Sequence, residues 1–325
     1  MVFWITYPIL NLFDSLCNTA IFKSLVFQKE PYILPANIEC IIYNRITNST
    51  SEIVLEIQSF IKRYFGNPPH TPVLDIPEVF LLTVYDCIIV LRYKSQIIGT
   101  IRYHYMGEFI NKERIYCVDC FCIHPNWRKK GMGDILLSEL HNYANQNNLP
   151  YCMFLKEGSV LPIMHLPLYS GTYVYRKVSS SIPCISSTII TMSVSVKNAY
   201  RIMDILRQIQ PELFIIRNPE SSNQVWKLYK HGMDYILTCI QNTFQTVDRQ
   251  TMGWVTAWIE SPLITDSFRK DVSEQLLHTC EFDYLWLNHK WIGDSTEWNT
   301  DGTFHWYSYQ WTSAIHIDKS YCILT

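Results

Sequence analysis

The chain has 325 residues, 48% of them apolar, and a formal net charge of −2. That length can bury a sizeable core in one large or two medium domains, and the near-neutral charge excludes a basic field for nucleic acid or an anionic membrane. Eleven cysteines, odd in number and without framework spacing, fit a reducing cytoplasm and a fold that does not depend on disulfides.

The apolar N-terminus has no positive leader, and Asn11, Asp14, Asn18 and Lys23 interrupt it, so it reads as neither a signal peptide nor a membrane span. Phe3-Trp4-Ile5-Thr6-Tyr7-Pro8 reads as an aromatic arm. Glu30-Pro31-Tyr32-Ile33-Leu34-Pro35 is an extended entry to a strand near Ile38 to Tyr43. Ser49-x-x-Glu52 is a capping box, opening a helix to about Phe65 with Val54, Ile57, Ile61 and Tyr64 on its core face. Residues 86 to 93 and 97 to 105 read as a hairpin around Lys94-Ser95-Gln96.

Residues 115 to 123 are mostly apolar and lack Gly and Pro, which predicts a buried strand ended by Pro125 and Asn126. A helix follows from about Met132 to Asn147, with Leu136, Leu140 and Tyr143 on one face. Between them, Arg128-Lys129-Lys130-Gly131-Met132-Gly133 sets three cations and two glycines at the positive end of the helix. Such a turn offers main-chain N–H groups to an anion, and its glycines let a phosphate approach closely. In this setting Arg-x-x-Gly-x-Gly resembles the loop by which the GNAT superfamily cradles the pyrophosphate of a coenzyme A thioester. A strand near Tyr151 to Leu155 completes the GNAT order of elements.

The pattern then begins again. Gly171 to Arg176 is extended, helices are predicted at 196 to 210 and 222 to 239, and 243 to 249 with 252 to 260 read as a hairpin. A helix at 268 to 280 and strands near 283 to 289 and 304 to 311 follow, and the chain closes on the apolar strand Tyr321-Cys322-Ile323-Leu324-Thr325. The expected architecture is mixed α/β (α+β): two fused GNAT-like halves, about 1 to 170 and 171 to 325, sharing one saddle-shaped mixed sheet. The first half would bind acyl-CoA; the second, lacking a phosphate loop, would bind peptide.

Several stretches resemble N-myristoyltransferases. Phe3-Trp4-x-Thr6-x-Pro8 is similar to that family's Phe-Trp-x-Thr-Gln-Pro, and Glu30-Pro31-Tyr32-x-Leu34-Pro35 to its Glu-Pro-Tyr-x-Leu-Pro. Asp119-Cys120-Phe121-Cys122-Ile123-His124 stands where the family has Asn-Phe-Leu-Cys-Val-His. Leu166-Pro167, Gly171-Thr172 and Tyr175 resemble Leu-Pro-x-x-x-Gly-Thr-x-x-Tyr. Asp301-Gly302 before Trp306-Tyr307-Ser308-Tyr309-Gln310-Trp311 resembles Gly-Asp-Gly before Tyr-Tyr-Leu-Tyr-Asn-Trp.

The resemblance implies myristoyl-CoA as co-substrate, no permanently bound cofactor, and the N-terminal glycine amine of protein substrates as acceptor. It implies donor contacts at Val2, Phe3 and Trp4, along Cys120, Phe121, Cys122 and Ile123, and through Arg128, Lys129, Lys130, Gly131, Met132 and Gly133. The amides of Cys120 and Phe121 would form the oxyanion hole, the carboxylate of Thr325 would take the amine's proton, and Tyr64 and Tyr175 would line the peptide groove. A cytoplasmic monomer is expected. The alternatives are an acetyl-CoA-dependent GNAT N-acetyltransferase and a non-catalytic acyl-CoA-binding protein. The family's acidic run is absent at Asn67-Pro68-Pro69-His70, Lys177 stands where the family has a groove histidine, and one strand is missing before helix 268 to 280.

Acyl transfer needs donors at the carbonyl oxygen, for which a bulged strand suffices, and a base for an ammonium of pKa about 7.7 to 8.0. A fourteen-carbon chain offers on the order of 10 kcal/mol of burial, which an acetyl group lacks. Cys117, Cys120, Cys122 and His124 are set aside as a zinc site, because no second cluster stands at ligand spacing. His141, His231 and His278 are expected on helices, facing solvent.

Overall fold

The computed structural model describes residues 23–24, 34–45, 50–65, 72–109, 112–161, 167–178, 188–209, 214–309, 311–312 and 321–322. In the first half, β2 (Ile38–Asn44) precedes α1 (Ser51–Tyr64), the short β3 (Val73–Leu74) and α2 (Glu78–Leu81); β4 (Cys87–Tyr93), β5 (Gln96–Glu108), β6 (Arg114–Ile123), α3 (Met132–Gln146) and β7 (Tyr151–Glu157) follow. The second half runs β9 (Ile190–Val194), α4 (Val196–Ile209), β10 (Phe214–Ile215), β11 (Val225–His231), β12 (Asp234–Val247), β13 (Gln250–Glu260), α5 (Asp266–Thr279) and β14 (Tyr284–Asn288). Leaving aside the short β3, α2 and β10, the two halves repeat one order: strand, helix, three antiparallel strands, helix, strand.

All of this lies in one 15-stranded sheet whose path is β2-β4-β5-β6-β7-β15-β8-β14-β13-β12-β11-β9, where β8 is Tyr169–Lys177 and β15 is Asn299–Tyr309. The last strands of the two halves are parallel to their neighbours, β6 to β7 and β13 to β14. The expected shared mixed sheet is therefore present. Because β15 comes from the far end of the chain and lies between β7 and β8, any boundary near residue 170 divides the sequence without dividing the sheet. β1 (Lys23–Ser24) and β16 (Trp311–Thr312) form a separate pair.

Each half buries both faces of its strands. Ile135, Leu136, Leu140 and Ala144 of α3 pack with Ile89, Leu91, Ile101 and Tyr103, while Val54, Ile57 and Ile61 of α1 pack with Ile88, Val90 and Ile97 on the other face. In the second half Ala199, Met203 and Leu206 of α4 meet Leu237, Cys239 and Ile259, and Val272, Leu276 and Leu277 of α5 meet Ile236, Ile240 and Val255. Two-sided burial explains why these strands read as unbroken apolar runs instead of alternating ones. Each such side chain contributes about 1.5–3 kcal/mol.

Five expectations change. α1 is capped by Thr50, whose hydroxyl accepts from the Ile53 N–H; Ser49 lies outside the described residues. Residues 225 to 247 are a hairpin and not a helix: Trp226 packs with the α4 core and Tyr229 with the α5 core, and Gly232 turns at φ 61°. Lys227 caps the end of α5 by donating to the Thr279 carbonyl. With this hairpin in place, no strand is missing from the second half. His141 is 1% exposed inside α3, and His231 lies on a strand; His278, on α5, is exposed as expected. Among the described residues no helix is long and apolar enough to cross a membrane.

Candidate active site

The parallel pairing of β6 with β7 covers only Ile115↔Tyr151 to Cys117↔Met153. Beyond Cys117 the two strands part, opening a cleft in the middle of the first half. On the other side of β6, the register with β5 slips: Thr100 faces Cys122, but Arg102 already faces Asp119. Cys120 and Phe121 thus stand opposite the single residue Ile101, a β-bulge, with Cys120 at φ 47°. Thr100 Oγ1 donates to the Cys120 carbonyl at 2.9 Å. The bulge required for splayed amides falls on the two residues for which it was expected.

A buried ion pair holds it there. Arg102, whose side chain is 6% exposed, grips Asp119 with Nε to Oδ1 at 2.6 Å and Nη2 to Oδ2. Its Nη1 also donates to the carbonyls of Phe80 and Leu81 at 2.7 and 3.1 Å. Burial works against the guanidinium's charge, but Asp119 and its neighbours, Asp86 among them, together outweigh it, so its pKa stands well above the ordinary value. One cation thereby ties the bulge to α2.

Behind it, Asp86 accepts from the N–H groups of Thr83 and Tyr105 at 2.8 and 2.7 Å and pairs with His104 Nδ1 at 3.1 Å. Burial alone would raise its carboxyl, yet His104, Arg102 and the Tyr105 N–H bring it down to about 2. A folded-state pKa below the unfolded one adds stability that is complete above the ordinary value of 3.8 and lost as pH falls through about 2. Asp86→Asn should therefore flatten the acid limb: urea melts should show the wild type losing about 2 kcal/mol more than the variant between roughly pH 5 and pH 2.

The basic loop at 128–133 follows β6 through a 3-10 turn at Pro125–Trp127. Lys129 and Gly131 take left-handed φ values of 60° and 79°. Gly131 is the N-cap of α3 and no side chain caps that end, which leaves the main-chain N–H groups of the first turn without an intrahelical partner. Lys129 and Lys130 are exposed, Lys130 with Nζ 5.4 Å from the Trp127 ring centroid. Arg128 is engaged differently: its Nε donates to the Ile123 carbonyl and its Nη2 to the Tyr64 carbonyl, both at 3.0 Å. It braces the end of α1 against the end of β6.

Two cavities meet at the bulge. A smaller one of about 230 Å³ is lined by Tyr64, Phe65, Phe121, Cys122, Ile123 and Arg128. The main one, about 670 Å³, runs from Asp119, Cys120 and Phe121 between an aliphatic wall (Leu74, Ile76, Val79) and an aromatic one (Tyr173, Trp254, Trp286, Trp306). Phe65 and Phe121 line both. Tyr64 thus faces the loop side, with its ring 4.6 Å from that of His124. Tyr175 lines neither cavity; it pairs with Trp286 and Asn299 in the sheet. Val2, Phe3, Trp4 and Thr325 lie outside the described residues. Arg102, Asp86 and His104 were not foreseen, although Arg and His at alternate positions of an otherwise apolar strand are a signal of charges facing a cavity.

Burial pushes the Cys117 and Cys120 thiols well up and Cys122 up to about 12, so none is a thiolate nucleophile at neutral pH. Among the described residues no group of three metal-ligating side chains assembles.

Residues 54–160 match the acetyltransferase (GNAT) family, which makes this segment a GNAT-type acyltransferase domain. No curated protein sequence matches the chain significantly. Among solved structures, N-myristoyltransferase from Saccharomyces cerevisiae with bound myristoyl-CoA superposes with a TM-score of 0.66 at 10% identity, over 97% of this chain and 93% of that one. A second structure of that enzyme with bound myristoyl-CoA gives 0.68 at 10% identity, over 97% and 88%. The chain has the doubled GNAT fold of those structures.

Proposed function

We propose that this chain, an acyltransferase domain of the GNAT type extended by a second GNAT-like half, transfers myristate from myristoyl-CoA to the N-terminal glycine amine of protein substrates. The observation that carries this reading is the bulge at Cys120–Phe121, set where β6 leaves β7 and opening on both the loop-side cavity and the main cavity. The pyrophosphate rests on the uncapped end of α3 with Lys129 and Lys130. The donor passes along Cys120 to Ile123 through the smaller cavity, so that its thioester carbonyl meets the amides of Cys120 and Phe121. The tail lies along the aliphatic wall, and the acceptor enters against the aromatic one.

The doubled fold supplies a reason for the second half. There the parting of β13 from β14 after Trp254↔Trp286 mirrors the parting of β6 from β7. This second split is filled by β17 (Tyr321–Cys322), paired antiparallel to β13 and parallel to β10. With Cys322 facing Ala257 and Tyr321 facing Trp258, the strand runs in the direction of Trp254, which lines the main cavity. This direction supports the α-carboxylate of Thr325 as the proton acceptor for the incoming ammonium. Burial in the cavity would raise it from about 3.3–3.7 towards a useful basicity. Appending a few residues after Thr325 should abolish transfer and leave acyl-CoA binding intact; unimpaired transfer would remove the carboxylate from the mechanism.

The second reading, transfer of acetyl, is favoured by the family match over 54–160. The two differ in what fills the main cavity. At about 0.8 kcal/mol per buried methylene, a fourteen-carbon donor should be preferred strongly over acetyl-CoA, and competition between the two donors on one glycine peptide decides between the readings.

A further inference from the structure

Asp86 and His104 form a carboxylate–imidazole pair in the first half. The Asp86 side chain is 0% exposed, and the N–H groups of Thr83 and Tyr105 fix it in place. His104 Nδ1 lies 3.1 Å from Asp86 Oδ1. An ionised carboxylate only accepts, so Nδ1 carries the hydrogen and Nε2 of the neutral ring keeps its lone pair. Nε2 makes no hydrogen bond among the described residues and is not enclosed by protein. The His104 side chain is 14% exposed, and it lines the main cavity together with Cys117, Asp119, Cys120 and Phe121. The ring thus turns its bonded edge to the protein and its free edge to the cavity.

The bulge lies within reach of that edge. His104 faces Cys117 across the β5–β6 ladder, and Cys120 is three residues further along β6, on the order of 10 Å. A thioester oxygen on the bulge amides, the attacking nitrogen and one water, at about 3 Å per contact, span that distance to Nε2. The surrounding charges favour a proton there. Asp86 and Asp119 are two anions, and both act on the single cation Arg102. An imidazolium at His104 brings this group of four to neutrality.

The proposed transfer takes two protons from the acceptor nitrogen. The first turns the ammonium into an amine and goes to the carboxylate of Thr325. The amine's lone pair then forms the C–N bond, leaving a positive nitrogen that must lose a second proton to become the amide. We infer that His104 Nε2, aimed by Asp86, accepts that second proton through the intervening water. The C–S bond breaks with its electron pair on sulfur, which takes up one proton, so one proton is released net per turnover. The inference rests on the proposed acyl transfer and supplies the acceptor that the second proton needs. Asp86 is the positioning residue, because it selects the tautomer whose lone pair faces the cavity.

The test is chemical rescue. His104→Ala should lower kcat by about 10²-fold or more, the ordinary share of a proton acceptor, with the dissociation constant for acyl-CoA unchanged. Imidazole in the buffer should restore part of that loss, over the rate it gives without protein, and leave the wild type unaffected. Asp86→Asn keeps the ring but sets an amide against Nδ1, so kcat should fall and imidazole should restore nothing. His104→Gln, which cannot accept the proton, serves where the alanine variant does not fold, and its kcat should fall equally. Full activity in His104→Gln, or a loss in His104→Ala that imidazole does not touch, would overturn the inference. Running each assay with myristoyl-CoA and with acetyl-CoA separates this outcome from the proposed activity. Rescue with acetyl as the group transferred would support His104 and overturn myristoyl transfer. A wild type that transfers neither group to a peptide beginning with glycine would overturn both.

Discussion

Phe121→Pro should lower kcat by about 10²–10³-fold, the loss that follows removal of one oxyanion donor, whereas Phe121→Ala should keep the same amide and stay within roughly tenfold of the wild type. The contrast isolates backbone from side chain. Phe121 sits at the bulge and its ring is only partly buried, so the alanine variant measures what the ring adds to the two cavities it lines. Pre-steady-state assays with saturating acyl-CoA, with circular dichroism to verify folding, distinguish the two. Equal losses in both variants would mean that the Phe121 amide does not carry charge stabilisation. Cys120→Ala belongs with the mild set, because the thiol is held neutral by burial and has no part in the transfer.

The second large effect is on the ion pair beneath the bulge. Arg102→Met should destabilise the protein by about 3 kcal/mol, since removing one partner leaves Asp119 uncompensated in a partly buried place. It also leaves the Phe80 and Leu81 carbonyls without the donor they now share. Asp119→Asn, which retains acceptors for the fork on one side, should cost less. The pair should also couple to rate: once Asp119 is released, the bulge relaxes, and kcat should fall further than the loss of folded protein explains. A variant as stable as the wild type in urea would show that the pair is incidental to the fold.

Local chemistry made the strand–loop–helix unit at 114–146 legible in the sequence. An apolar run, a proline stop, a basic loop with glycines and an amphipathic helix each act over a few residues, and their outcome is set before the rest of the chain packs. The bulge position came from resemblance alone, because nothing in Cys120-Phe121 as a dipeptide specifies it; the register slip is produced by the pairing of Thr100 with Cys122 and of Arg102 with Asp119.

Residues 222 to 239 misled for the opposite reason. Trp226, Tyr229 and Ile236 recur at spacings that suit a helix, and only burial on both faces of a sheet reveals them as strands between α4 and α5. How the aromatic wall is assembled was out of reach of sequence reasoning. Tyr173, Trp254 and Trp306 come from three strands, and Trp306 reaches the wall because β15 is inserted between β7 and β8. An insertion of this kind is a property of the closed sheet and of no local pattern.

In the proposed reaction the split and bulged β6, together with the loop at 128–133, delivers a long-chain thioester to a glycine amine. The most direct measurement is mass spectrometry of a peptide beginning with glycine after incubation with the protein and equal amounts of myristoyl-CoA and acetyl-CoA. The peptide should gain a single myristoyl group on its α-amine, with acetylation far behind. Acetyl as the main product, or a peptide unchanged while the donor is bound, would contradict the claim.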